Sequence, residues 1–559
     1  MSVPSPVRYQ SSRGTPRGCD FRDVLLSAYA PDGGLWVPEL ETMPSDVWSS
    51  LRVGMTVAEV TARVLHPFTG LALPTCEALC AKAFRSFNGG REPSLPLVRV
   101  GGRLFLETGA GPTLAFKDIG QQVVAQLLDH ILGEHGESAN IVVETSGDTG
   151  PAAIEAVRSC EHVRIFCLYP EGRVSEVQEL QMITVDSPNV HVYRTEGDTD
   201  EQAEALKILF EDGAFMRRHR VCSINSINFA RVLVQSAYYL WACLQLDASG
   251  GRDAGGRDAG GRDTGGRDTG GRDAGGCDGC SAINFVVPTG AFGNAAGGLL
   301  AARLGAPIGR IVCATNANDI VHRTLASGDM RMTENRQTVS PAMDIQFAYN
   351  MERLLYFSTE GDVGAVGAIM RQLEASRAVV LPPALLTVVQ RRFVSCTVTD
   401  AQTLQAMREV YAADGYALDP HSAVGVYALD HDAAVRAACA RQPTVCVLTA
   451  HPAKFGEAVC QAGLPKSVCD DARVEALRAL PRDRFTYLRD PGRHTRREKL
   501  RVWAREIRLA VEGLGGGDEG DAATNMATPE NGTGGAGGGC RVSGGAAPPD
   551  PSTRRRSKL

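Results

Sequence analysis

The stretch Ile141-Val142-Val143-Glu144-Thr145-Ser146-Gly147-Asp148-Thr149-Gly150-Pro151-Ala152-Ala153-Ile154-Glu155-Ala156-Val157 changes its pattern halfway along. Residues 141–146 form a short β-branched run bounded by turn residues, which predicts a strand. From Pro151 onward the small and aliphatic residues predict a helix. The pattern returns at 283–290, where Ile-Asn-Phe-Val-Val runs into Pro288-Thr289-Gly290-Ala291-Phe292-Gly293-Asn294 and a helical pattern over 294–304. Further apolar runs at 164–170, 310–316 and 444–450 read as strands, and 200–212 and 226–246 as helices. Strands apolar on both faces, with helices between them, imply an α/β fold with a mainly parallel sheet.

Outward from this core the chain changes character. Its 559 residues exceed the ~150 of an average domain several-fold, so one small module is excluded. Residues 1–100 carry more Pro and Gly punctuation and read as a smaller leading domain before a core over 101–512. The segment 248–281 is a low-complexity insert, with GGRDA, GGRDA, GGRDT, GGRDT and GGRDA from Gly250 to Ala274 followed by GGCDG. Glycine pairs and self-cancelling Arg/Asp charges cannot build a core, so a flexible surface loop is expected there. Residues 513–559 hold almost no aliphatics and are expected to be disordered. These two segments contain 26 of the 61 glycines, which leaves ordinary globular composition elsewhere. Just before the tail, Leu500, Trp503 and Ile507 fall at helical spacing among arginines, as expected of a basic helix capping the domain.

Composition narrows the function. A net charge of −6 argues against general nucleic-acid binding, which needs a clustered positive surface. No run reaches the ~18 apolar residues of a membrane span, and the first residues lack the apolar stretch of a signal peptide. Sixteen cysteines without such a signal read as reduced thiols. The pair Cys277 and Cys280 has no second ligand pair nearby, so no metal site is expected. Cytoplasmic residence is the expectation. The final Ser557-Lys558-Leu559 also matches the tripeptide read by the peroxisomal import receptor.

In open α/β sheets ligands bind beyond the carboxyl ends of strands, which is where the two small-residue turns fall. Thr145–Gly150 offers backbone N–H groups and hydroxyls at a helix N-terminus, suited to a carboxylate. The 288–294 turn offers a glycine nest suited to a phosphate. Each alone is more often a structural turn than an anion site. A third segment, Gly111-Pro112-Thr113-Leu114-Ala115-Phe116-Lys117-Asp118, sets a lysine among small and apolar residues. Partly desolvated there, Lys117 would have a lowered pKa and could attack a carbonyl, or it could simply begin a helix at the surface. A lysine with two anion cradles is the set that pyridoxal 5′-phosphate and an amino-acid substrate need.

The chain resembles the threonine synthase family, pyridoxal-phosphate enzymes of fold type II (tryptophan synthase β-like). The resemblance runs from Tyr9-Gln10-Ser11-Ser12-Arg13-Gly14 and Asp32-Gly33-Gly34-Leu35-Trp36-Val37-Pro38 to His451-Pro452-Ala453-Lys454-Phe455. Between them stand GPTLAFKD, TSGDTGPAAIEA, SINSINFARVLVQ, VPTGAFGN, TNANDI and SPAMDI. It implies Lys117 as the Schiff-base lysine and catalytic acid/base, and Gly290, Ala291, Phe292, Gly293 and Asn294 as the cofactor-phosphate loop. It further implies Ser146, Gly147 and Thr149 at the substrate carboxylate, and Thr449 facing the pyridine nitrogen. Lys454 is a rival amine, though HPAKF reads as a helix start. Asn228 and Arg231 are candidates for the substrate phosphate, with Arg231 alternatively pairing a structural carboxylate.

One departure stands out. Family members commonly carry His-Gly where this chain has Ala110-Gly111. The stretches VPTGAFGN, NDIVHRTLASGD and MDIQFAYNMER resemble most the threonine synthase-like 2 branch. That resemblance implies a phospho-lyase that converts O-phosphothreonine, and O-phosphohomoserine, to 2-oxobutyrate, ammonia and phosphate. The alternatives are a threonine synthase acting on O-phosphohomoserine and a catalytically inactive secreted or signalling descendant. Intact TSGDTG, lysine and glycine-loop motifs argue against the latter.

Overall fold

The apolar runs at 283–290, 310–316 and 444–450 become neighbouring strands. In a computed structural model, which describes residues 7–27, 29–197, 199–250, 282–489 and 495–513, Ile283–Pro288 is buried along its whole length. It lies between Ile308–Thr315 and Thr444–Leu448, parallel to both. Phe393–Thr397 extends this sheet on one side, and Arg103–Glu107 on the other is also parallel. Leu97–Val100 closes the edge as an antiparallel hairpin strand. The leading region therefore gives its last strand to this sheet, because the Gly101-Gly102 turn folds 97–100 back onto its neighbour. Side chains of the central strand alternate between two cores: Phe285 and Val287 enter one, Val286 the other. Each such buried side chain contributes roughly 1.5–3 kcal/mol, which is why a doubly covered strand carries no polar face.

A second sheet is parallel throughout, in the order Thr486–Leu488, Val190–Thr195, Val163–Pro170, Ala139–Glu144, Val221–Cys222. Val142, Phe166 and Leu168 on one face meet Leu500, Trp503 and Ile507 of the helix Arg496–Gly513. On the other face, Ile141 and Val143 join the larger core with the helices Lys117–Glu134 and Phe229–Gly250.

The N-terminal motif is joined to the rest by polar contacts as well as by apolar ones. Tyr9–Ser11 pairs antiparallel with Trp36–Pro38. Arg13 donates to Glu352 at 2.9 Å in a nearly buried ion pair. The GGRD repeat from residue 251, the Cys277/Cys280 pair and the tail from 514, with Ser557–Leu559, lie outside the described residues. Among the described residues there is no metal-ligand cluster, and no helix is long and apolar enough to cross a membrane.

Candidate active site

Three adjacent strands of the six-stranded sheet deliver their carboxyl ends to one place. Arg103–Glu107 leads to the Lys117 segment, Thr444–Leu448 to Thr449, and Ile283–Pro288 to the 289–294 turn. Ala139–Glu144 of the other sheet contributes Thr145–Gly150.

The Lys117 segment is pinned to the end of the Thr444–Leu448 strand. Phe116 N–H donates to the Thr449 carbonyl at 2.8 Å, and His451 N–H to the Leu114 carbonyl at 3.0 Å. Lys117 is the first residue of its helix, and its side chain is 15% exposed, with Nζ 3.5 Å from Asp148 Oδ2. Burial lowers its pKa; Asp148 opposes that shift, and the charges of Lys454 and Arg231 add to it. Lys117 is thus biased toward the neutral, nucleophilic amine. Lys454 differs: fully buried, its Nζ lies 2.8 Å from Asp148 Oδ1 and donates to the Thr113 carbonyl at 2.8 Å. That amine is committed to an ion pair.

Asp148 occupies the N-cap of the helix Thr149–Val157 but makes no capping bond there. Its carboxylate accepts instead from Lys454 and from Gln178 Nε2 at 3.0 Å. Burial alone would raise its pKa, but Lys454 and then Lys117 more than reverse this and hold it well below the ordinary carboxylate range. The first-turn N–H groups of that helix are left to other acceptors. Thr145 Oγ1 accepts from Gly147 N–H and Gly150 N–H, both at 3.0 Å, which fixes the turn. Ser146 is exposed and Thr149 half-buried, and neither hydroxyl has a partner among the described residues. Gly147 has φ +155°, and a Cβ there would stand 2.6 Å from Gln178 Nε2.

The glycine turn is close-fitting. Phe292 adopts φ +65° at the start of Gly293–Arg303, with no side-chain cap on that helix. A Cβ on Gly290 would lie 3.0 Å from Met343 Cα, and one on Gly293 3.0 Å from Ser226 Cβ. Asn294 Oδ1 accepts the hydroxyls of Tyr238 at 2.5 Å and Tyr239 at 2.6 Å, while its Nδ2 is buried without a partner. A buried unpaired donor costs about 1–3 kcal/mol, and an anionic oxygen removes that cost. Thr449 N–H donates to Ser422 Oγ at 2.9 Å, and its own hydroxyl has no partner among the described residues. An orphaned amide, a glycine cradle, a free hydroxyl and a desolvated lysine together fit pyridoxal 5′-phosphate.

Sequence reasoning missed the support beneath Thr449. Asp419 bonds Ser422 and, at 3.0 Å, His421 Nδ1; His421 Nε2 accepts Ala342 N–H at 3.1 Å. Both ring nitrogens are engaged, which fixes the orientation of the ring. The signal was present, since Asp419-Pro420 is an N-cap followed by proline at the first helical position. Ser226 was also missed, and bonds Tyr349 Oη at 3.0 Å beside Gly293. Glu144, immediately before the Thr145 turn, is pushed up to about 7 by burial.

The two candidates for the substrate phosphate part company. All polar positions of Asn228 are taken up by backbone. Its Nδ2 donates to Leu25 O at 2.9 Å and Ser223 O at 3.1 Å, and its Oδ1 accepts Ala230 N–H. Asn228 thus braces the start of its helix. Arg231 is buried, donates from Nη1 to the Ile224 carbonyl at 3.0 Å, and has an unpartnered Nε. It makes no ion pair with a carboxylate among the described residues, so the structural-carboxylate alternative is not realised. Burial lowers its pKa to about 10. A Cβ on Gly120, in the first turn after Lys117, would lie 2.8 Å from that Nε. Asn225 Oδ1, in the same loop, is likewise buried and unpaired.

Family models match nearly all of this architecture: the threonine synthase N terminus over 8–84, the pyridoxal-phosphate dependent enzyme over 90–450, and the threonine synthase C-terminal model over 422–489. Threonine synthase of Pseudomonas aeruginosa is 37% identical over 484 residues, 84% of this chain and 93% of that protein. Threonine synthase-like 2 of Homo sapiens is 38% identical over 463 residues, 82% and 89% respectively. The crystal structure of PLP-bound threonine synthase from Brucella melitensis aligns with a TM-score of 0.75 at 36% identity, covering 90% of this chain and 99% of that one.

Proposed function

The chain belongs to the threonine synthase family of pyridoxal-phosphate-dependent enzymes, and on that premise we propose that it eliminates phosphate from O-phosphothreonine, giving 2-oxobutyrate, ammonia and phosphate. It is a lyase of phosphorylated amino acids that uses pyridoxal 5′-phosphate. The observation that carries the substrate class is Arg231. A buried guanidinium with a free Nε and no carboxylate partner among the described residues is costly, and a phosphate dianion beside the first turn of the Lys117 helix would satisfy it.

In this reading Lys117 would hold the cofactor, the 290–294 turn and Asn294 Nδ2 its phosphate, and the Thr449 hydroxyl its ring. When bound, the cofactor accepts the electron pair left at Cα. Ser146, Gly147 and Thr149 orient the substrate carboxylate at a helix N-terminus, which sets the Cα–H bond toward Lys117. The Lys117 Nζ, uncharged beside the substrate, would take the Cα proton. Arg231 draws the phosphate away from Cβ, and the resulting enamine takes up one water on release to give 2-oxobutyrate and ammonia.

Two observations support O-phosphothreonine over O-phosphohomoserine. Loss of phosphate from Cβ needs one proton removal, at Cα, which one amine performs. Loss from Cγ needs a further proton moved at Cβ. Ala110 offers no imidazole for that, and both nitrogens of His421 are already bonded. The 37% identity to Pseudomonas aeruginosa threonine synthase favours the second reading, hydration of the intermediate to threonine. Incubation of the purified enzyme with each phosphoamino acid, followed by product analysis, separates the two. The proposal expects 2-oxobutyrate from O-phosphothreonine, and threonine as the main product of O-phosphohomoserine would replace it.

A further inference from the structure

Asp148 stands between two lysines and touches them unequally. Its Oδ1 takes the Lys454 ammonium at 2.8 Å and Gln178 Nε2 at 3.0 Å. Its Oδ2 faces Lys117 Nζ at 3.5 Å, beyond a strong charge-assisted bond. Lys454 has no freedom to move aside, because it is fully buried and also donates to the Thr113 carbonyl.

We propose that Lys454 is a positioning residue for the reaction: by occupying Asp148 it leaves Lys117 an uncharged amine beside a carboxylate that would otherwise hold it as an ammonium. The inference rests on Lys117 being the reactive amine and goes beyond the choice of substrate. A lone carboxylate within ~4–6 Å raises the pKa of a lysine by about 1–3 units. A reactive lysine must avoid this, yet Asp148 contributes the bond that fixes Gln178 beneath the substrate turn. Lys454 reconciles the two requirements, neutralising the carboxylate at close range and repelling a second positive charge on Lys117.

The other groups facing this cluster do not replace Lys454. Arg231, from the Phe229–Gly250 helix, adds a like charge near Lys117. His421, from the Pro420–His431 helix, is near Asp148 but spends both ring nitrogens on Asp419 and the Ala342 N–H. Asp118 faces Lys454, takes bonds from Thr113 N–H at 2.8 Å and Oγ1 at 2.6 Å, and is raised by burial to about 6. It therefore adds a second acidic group on the Lys454 side of the cluster.

The test is a pH titration of the visible absorption of the enzyme loaded with pyridoxal 5′-phosphate, read beside the acid limb of kcat/KM. Lys454→Met keeps the apolar stem and removes the charge. The ionisation midpoint of the Lys117 nitrogen and the acid limb should both rise by about one unit or more. Asp148→Asn should move the midpoint the opposite way, and Lys454→Arg should restore it. Opposite shifts are something that loss of packing alone would not produce. If Lys454→Met fails to fold, the downward shift in Asp148→Asn and the rescue by Lys454→Arg decide the matter. Unmoved midpoints, or shifts of the same sign in both charge-removing variants, would overturn the inference. Wild-type protein that gains no visible absorption with the cofactor would instead refute the reading of Lys117.

Discussion

Arg231→Met separates a functional from a structural arginine because the two roles predict opposite changes in stability. Burial lowers this guanidinium from its ordinary value to about 10. At about 1.4 kcal/mol per unit, that corresponds to roughly 3 kcal/mol opposing folding. The sign follows from the lowered value: below pH 10 the group is charged in both states, so the whole penalty is present at neutral pH. Methionine keeps the stem, removes the charge and loses the Nη1 bond to Ile224, worth about 1 kcal/mol. The ligand-free variant should therefore be more stable by about 1–2 kcal/mol and melt at a higher temperature. Its activity should fall, because truncating one partner of a buried charge-assisted contact costs about 2–5 kcal/mol. That is at least about a 30-fold loss in kcat/KM for O-phosphothreonine. Steady-state kinetics beside thermal melts read both quantities. Unchanged kcat/KM would remove Arg231 from the substrate site, and lowered activity with a lowered melting temperature would make it structural.

Borohydride reduction of the loaded enzyme, followed by peptide mapping, should place the pyridoxyl adduct on Lys117, and Lys117→Ala should yield none; an adduct on Lys454 would reassign the reactive amine. Glu144 is raised by burial from 4.5 to about 7, so the stability it permits is present below pH 4.5 and lost as pH rises through 7. Glu144→Gln should therefore match wild type in melting at pH 5 and exceed it at pH 8 by about 1–3 kcal/mol, and equal melting at pH 8 would show that the carboxyl is solvated. Replacing residues 250–279 with a short Gly/Ser linker should leave turnover within a small factor, since they include only the last residue of the helix Phe229–Gly250 and none of the strand Ile283–Pro288. A large loss with folding intact would bring the repeat into the active site.

What the sequence by itself determined was local. The 141–157 and 283–304 stretches read as strand, turn and helix because a short β-branched apolar run, the small turn residues after it and a helical pattern beyond are properties of neighbouring residues. The strands appear within two residues of their expected ends at 141–146, 164–170 and 283–290. Placement of turns beyond the carboxyl ends of parallel strands then brings Lys117, Ser146, Gly147, Thr149, Thr449 and the 290–294 residues to one region. Residue type alone did not decide which polar atoms are free within that region. Asn228 and Arg231 stand three residues apart in one motif. The carbonyl of Leu25, 203 residues away, engages the amide of Asn228, while no carboxylate among the described residues pairs with Arg231. Lys454 looked like a second amine until Thr113, 341 residues away, and Asp148 closed around it. Hydrogen-bond satisfaction and burial depend on which distant segments converge, and those contacts, unlike φ/ψ preference, exist only once the two sheets have folded together.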